Sequence, residues 1–122
     1  MGKFVIREVK TGFKFDLRAA NGEILATSEV YTTEEDCLDG IVRMRECAEE
    51  AVLEDQTVEK IETQPSPKFE LYVDKAGEFR FRLKADNGET IAVGEGYKAK
   101  VACLNGVESV RRYVPLAEVA ES

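Results

Sequence analysis

The chain has 122 residues and no histidine. That absence removes the Ser-His-Asp triad, the Cys-His dyad, imidazole metal ligands and the side chain that most often moves protons near neutral pH. Cysteine is scarce: Cys37, Cys47 and Cys103 are an odd number without a C-x-x-C pair, so neither a disulfide framework nor a zinc knuckle is suggested. Reduced thiols are the expected state. No run of the roughly 18 apolar residues that span a bilayer occurs. The segment MGKFVIREVK is too short and too charged for a signal peptide, and a cytoplasmic location is expected. Glycines stand singly or as Asn-Gly, not as G-x-G-x-x-G or a phosphate-cradling loop, so no nucleotide site is indicated and no cofactor is expected.

What is present is a patterned, globular composition. The hydrophobic fraction is 43% and no low-complexity stretch argues for disorder. The length fits one domain, or two units too small to bury much core unless they share it. Net charge is −7, unevenly placed: residues 1–64 hold 8 Lys+Arg and 15 Asp+Glu, residues 65–122 hold 9 and 9. A net-acidic chain lacks the basic footprint that neutralises phosphates, which disfavours duplex nucleic acid and anionic membrane as partners.

The organising feature is an internal repeat. Residues 13–45 align without a gap on residues 79–111, with identities that include Phe13/Phe79, Phe15/Phe81, Leu17/Leu83, Asn21/Asn87, Gly22/Gly88, Glu23/Glu89, Tyr31/Tyr97, Cys37/Cys103, Gly40/Gly106 and Arg45/Arg111. Upstream, Lys3-Phe4 matches Lys68-Phe69 with one residue fewer of offset, so the second copy carries an insertion in its first turn. The expected organisation is repeat 1 over residues 1–63, a linker Gln64-Pro65-Ser66-Pro67, and repeat 2 over residues 68–122, packed as one domain.

Within each copy the period begins at two. Phe13, Phe15 and Leu17 alternate with Lys14, Asp16 and Arg18, as Phe79, Phe81 and Leu83 alternate with Arg80, Arg82 and Lys84, the mark of strands with one buried face. Asn21-Gly22 and Asn87-Gly88 then predict two-residue type I′ hairpins, which would set Leu17 against Ala26 and Leu83 against Ala92. An earlier strand at residues 4–9, or 69–73, completes a three-stranded meander. A helix follows, with Thr32 and Glu35 as a capping box and Cys37, Gly40, Ile41, Met44 and Ala48 on one face. Glycine inside a helix costs about 1 kcal/mol relative to alanine. Its recurrence as Gly40 and Gly106 therefore points to close packing of helix on sheet. Short apolar segments at residues 58–61 and 116–119 are expected to be a fourth strand in each copy.

The run Phe-x-Phe-x-Leu-x-Ala-x-Asn-Gly-Glu, followed by Glu29-x-Tyr31 and Cys37-Leu38-x-Gly40-Ile41 and repeated from Phe79 to Val107, resembles the tandem-repeat form of the YegP-like family. The resemblance covers nearly the whole chain. It implies an α+β fold of two β-β-β-α-β repeats, forming one shared antiparallel sheet with two helices on one face and C-terminal strands exchanged between repeats. It implies no activity, because the family is of unknown function and transfers no catalytic residues.

Two surface features are candidate sites. Arg80, Arg82 and Lys84 form a basic row beside Tyr72 on the sheet face away from the helices, with the composition of an anion or single-strand platform. Cross-strand ion pairs such as Arg80 with Glu95 would explain the same row as a solvated face. Lys98 and Lys100 open the second helix without a capping side chain, where cations oppose the helix dipole and would suit an anionic partner. Cys37 and Cys103 read as buried helix-face residues, and Cys47 as partly exposed beside Glu46, Glu49 and Glu50. Glu34, Glu35, Asp36 and Asp39 lack the spacing of a calcium loop. The expected function is a non-catalytic protein-interaction module, with a small-ligand or anion-binding protein that uses the inter-helix cleft or the basic row as the alternative. A monomer with internal pseudo-twofold symmetry is expected.

Overall fold

The inward alternation of aromatic residues builds the core. A computed structural model describes residues 2–121. Its elements are β1 (Lys3–Val9), β2 (Gly12–Arg18), β3 (Ile24–Ser28), α1 (Glu34–Glu50), β4 (Val52–Asp55), β5 (Lys68–Val73), β6 (Phe79–Lys84), β7 (Thr90–Gly94), α2 (Lys100–Tyr113) and β8 (Glu118–Glu121). The strands form one eight-stranded sheet in the order β4-β5-β6-β7-β3-β2-β1-β8. Phe4, Phe15, Phe69 and Phe81 are fully buried between this sheet and the helices. They meet edge to face in two equivalent pairs, Phe4 with Phe15 at 5.8 Å and Phe69 with Phe81 at 6.1 Å. Burial of each such ring contributes about 2–3 kcal/mol.

The sheet is mixed, where the sequence led us to expect an antiparallel one. The two meanders and the β3–β7 seam are antiparallel, but β4 runs parallel to β5 and β8 parallel to β1. Each helix carries the chain to the other repeat, so the strand that follows lies beside that repeat's first strand. α1 packs on β1 and β2 of its own repeat and on β5 and β7 of the other, and α2 bridges in the same way. This exchange ties the two copies together at both edges.

The first fourth strand lies at Val52–Asp55 and not at residues 58–61, where Val58 and Ile61 are exposed. α1 ends at Glu50 and Ala51 is already extended, so β4 begins at once. Its buried residue is Glu54, which apolar patterning passes over. β8 starts two residues later than expected, at Glu118. The α1 cap is Thr33, one residue beyond Thr32, and its hydroxyl accepts the Asp36 N–H at 3.0 Å.

The Asn-Gly turns also differ from expectation. Gly22 N–H donates to Ala19 O and Ala19 N–H to Glu23 O, and Gly22 alone takes positive φ (+86°). Asn21 keeps negative φ and accepts the Glu23 N–H on its side chain, which makes a three-residue loop. A bulge at Leu25 then restores the register, so Leu17 still faces Ala26; Leu83 faces Ala92 in the same way. The bulge turns neighbouring Leu25 and Ala26 both into buried positions.

Candidate functional site

The basic row is largely neutralised by carboxylates supplied from within its own sheet face. Arg80 donates to Asp74 at 2.7 Å and to the Gly94 carbonyl at 2.9 Å, and not to Glu95. Asp74 follows β5 directly and opens the first turn of repeat 2. Arg82 donates to Glu70 at 2.6 Å and lies 4.3 Å over the Tyr72 ring. Lys84 faces Lys68 across the ladder and has no ion pair among the described residues. Burial pulls the Glu70 carboxyl up, but bonds from Arg82 and Lys68 outweigh it and hold it below the ordinary range. At α2, Lys100 pairs with Asp55 of β4, while Lys98 is exposed. The structure therefore brings Tyr72, Arg80 and Arg82 together with acids and leaves Lys98 apart.

The cleft between the helix ends, lined by Arg45, Glu49, Arg111 and Pro115, encloses about 410 Å³. Arg45 is already committed there, donating to the Val114 and Ala117 carbonyls at 2.8 and 2.6 Å. All three thiols are buried, Cys47 included, contrary to its expected partial exposure. Burial pushes Cys37 and Cys47 up, and Cys103 to about 11. A thiol so far from ionisation is a poor nucleophile. Tyr31 and Tyr97 are each fastened by paired backbone bonds to Phe13 and Phe79.

A further concavity lies on the open face, over β8, β1, β2 and the turn at residues 19–22. It encloses about 580 Å³ and is lined by Lys3, Val5, Arg18, Ala19, Ala20 and Glu118 among others. Lys3 and Arg18 face each other across the ladder. Arg18 has one distant carboxylate, Asp16 at 4.0 Å. Asp16 is buried and already accepts from Arg7 at 2.9 Å and Thr27 at 2.7 Å. Arg18 Nε is shielded from solvent and bonds to nothing. Among the described residues Lys3 has no ion pair.

The same place in repeat 2 is constructed differently. Lys68, the counterpart of Lys3, pairs with Glu54 at 2.9 Å and Glu70 at 3.3 Å. Glu54 also accepts from Gln56 Nε2 and the Gln64 N–H, and with Lys68 these hold its carboxyl down at about 2. In repeat 1 the positions of Glu70 and Glu54 are taken by Val5 and Ala120, neighbours in the β1–β8 register. In the sequence Arg18 stands only among the polar residues that alternate with the β2 core, Lys3 only as the repeat match of Lys68, and Val5 carries no signal. Comparing the copies residue by residue, Val5 with Glu70 and Ala120 with Glu54, would have found the site.

The geometry defines a class: a tandem-duplicated α+β protein with strand-exchanged repeats and buried thiols. The chain belongs to the family described as Domain of unknown function (DUF1508), which it matches twice, over residues 9–55 and 74–121. It is 33% identical over 120 residues to a UPF0339 protein of Pseudomonas aeruginosa, covering 98% of this chain and 96% of that one. A UPF0339 protein of Treponema denticola is 63% identical over 54 residues, 93% of its own length but 44% of this chain, and so has the extent of one repeat. Among solved structures, the protein of unknown function yegP from E. coli superposes with a TM-score of 0.79 at 27% identity, covering 99% of this chain and 92% of that one. In the described residues no helix is long and apolar enough to cross a membrane.

Proposed function

We propose that the protein is a non-catalytic interaction module that takes up a basic, extended segment of a partner protein along the outer edge of β8. The observation that carries this reading is the contrast between the two sheet edges. β4 is flanked by the segment that follows it, whose Val58, Lys60 and Glu62 fold back beside Leu53 and Asp55. β8 ends the sheet on the other side; among the described residues no backbone hydrogen bond reaches the outer edge of either strand, so the contrast lies in the segment that flanks β4. An unpaired strand edge is a template for a further strand, with main-chain bonds for affinity and alternate side chains for selection.

Charge supports a basic partner. At one pseudo-symmetric position Lys100 and Asp55 neutralise each other. At the other, Glu34 meets Glu121, and Glu34 is held above the ordinary carboxylate range first by its hydrogen bond to Glu121, then by the charges of Glu121 and Glu8. A cationic segment beside β8 relieves this repulsion. A second copy fits less well, because antiparallel pairing of two β8 strands sets Glu118 against Glu121.

Fluorescence anisotropy with a labelled heptapeptide of alternating lysine and valine tests this reading. The expected result is saturable, salt-weakened binding that Glu121→Lys reduces by ~10-fold or more, with no binding of the Glu-Val counterpart. Equal binding of the acidic peptide, or indifference to Glu121→Lys, contradicts it.

A further inference from the structure

The groove between Lys3 and Arg18 opens on the sheet face, with Glu118 of β8 on its wall, and is best understood by what fills its place in the other repeat. There, the ammonium of Lys68 rests on two carboxylates from its own sheet, Glu54 and Glu70. Here, Val5 and Ala120 replace them, so Lys3 keeps its charge without the two anions that hold Lys68, and Arg18 beside it has only the distant Asp16. The substitution also changes the floor from charged to apolar, continued by Ala19 and Ala20. Arg18 Nε is shielded from the groove, so the part-exposed guanidinium meets a ligand through its terminal nitrogens. The one acid on the wall, Glu118, is exposed at the rim.

We infer that this groove binds a small organic monocarboxylate with a short apolar tail, its carboxylate held by Arg18 and Lys3 and its tail laid against Val5, Ala19 and Ala20. The ligand's carboxylate takes the role that Glu70 and Glu54 play internally in repeat 2. Inorganic anions offer the charge but leave the apolar floor uncovered. Neutral analogues cover the floor but leave both cations unpaired, and a site built around a charged hydrogen bond discriminates strongly against a ligand that lacks the partner.

The test is a titration of the full chain, followed by backbone amide shifts, with 4-methylpentanoate, 4-methylpentanamide and inorganic phosphate in parallel. The acid is expected to move amides of residues 3–5 and 18–22, with the amide and phosphate each weaker by ~10-fold or more. Arg18→Gln, at a half-exposed side chain, should remove the response. So should Val5→Glu, which installs the carboxylate that repeat 2 carries. Binding of the amide or phosphate as tight as the acid, or an undiminished response in a folded Arg18→Gln protein, overturns the inference. Neither substitution touches Glu121, so loss of this site and loss of peptide binding are read separately.

Discussion

The hydroxyl of Tyr31 lies where a Cβ on Gly40 would stand. Tyr97 and Gly106 repeat the relationship, with the hydroxyl 2.7 Å from that position. The helix glycines therefore seat the tyrosine that closes each meander, a more specific role than close approach of helix to sheet. Gly40→Ala should destabilise the fold by about 1–3 kcal/mol through overpacking, although helix propensity alone would favour it by about 1 kcal/mol. Tyr31→Phe combined with Gly40→Ala should recover only a small part of the loss, since the ring carbon Cζ would still stand 2.6 Å from the new methyl. Urea unfolding midpoints of the three variants measure both.

The Glu54–Lys68 pair sets a pH window. Glu54 titrates at about 2 in the folded chain against 4.5 ordinarily. Its contribution is thus complete above about pH 4.5 and is lost as pH falls through about 2. Lys68 is raised above 10.5, first by its bond to Glu54, so its contribution holds below that pH and fades above it. Glu54→Gln should lower stability at pH 7 by about 1.5–3 kcal/mol and flatten the acid limb of the stability profile between pH 4.5 and 2.

Arg45 and Arg111 occupy equivalent positions but do unequal work. Each guanidinium covers a core ring, Phe4 at 4.9 Å or Phe69 at 5.0 Å. Arg45 also holds two carbonyls at the approach to β8, while Arg111 reaches only Glu108 at 3.7 Å and leaves its Nε unpaired. Arg45→Ala should cost about 1–3 kcal/mol more than Arg111→Ala. Calorimetric unfolding of the two variants reads the difference.

Burial governs the thiols. Cys37, Cys47 and Cys103 should resist iodoacetamide in the native chain at pH 8 and react promptly in denaturant. Mass spectrometry after a timed quench reads all three sites, and fast native labelling at Cys103 would contradict its shift to about 11.

The duplication, the alternating strands and the helix stripe were legible because each is a periodic pattern of apolar residues, carried twice. The strand exchange came through the family resemblance, and the structure bears it out. The place of β4 is not legible because its buried residue is Glu54, a charge countered by Lys68 across a parallel pair that no local pattern announces. The turns were mistaken in type but not in consequence, since the bulge at Leu25 compensates for the third loop residue. Cross-strand ion pairing of Arg80 and Arg82 was legible as one reading of the basic row, but not the partners, because Asp74 and Glu70 lie in another strand or its turn. Val5 and Ala120 carried no signal alone. They matter only as the residues that stand where repeat 2 has glutamates.

The most direct test of the account is hydrogen exchange of the full chain with and without the Lys-Val heptapeptide. If β8 supplies the binding edge, protection should rise at its residues 119–121 and stay unchanged at residues 52–55 of β4. Equal protection at both edges, or protection at β4 alone, would contradict it.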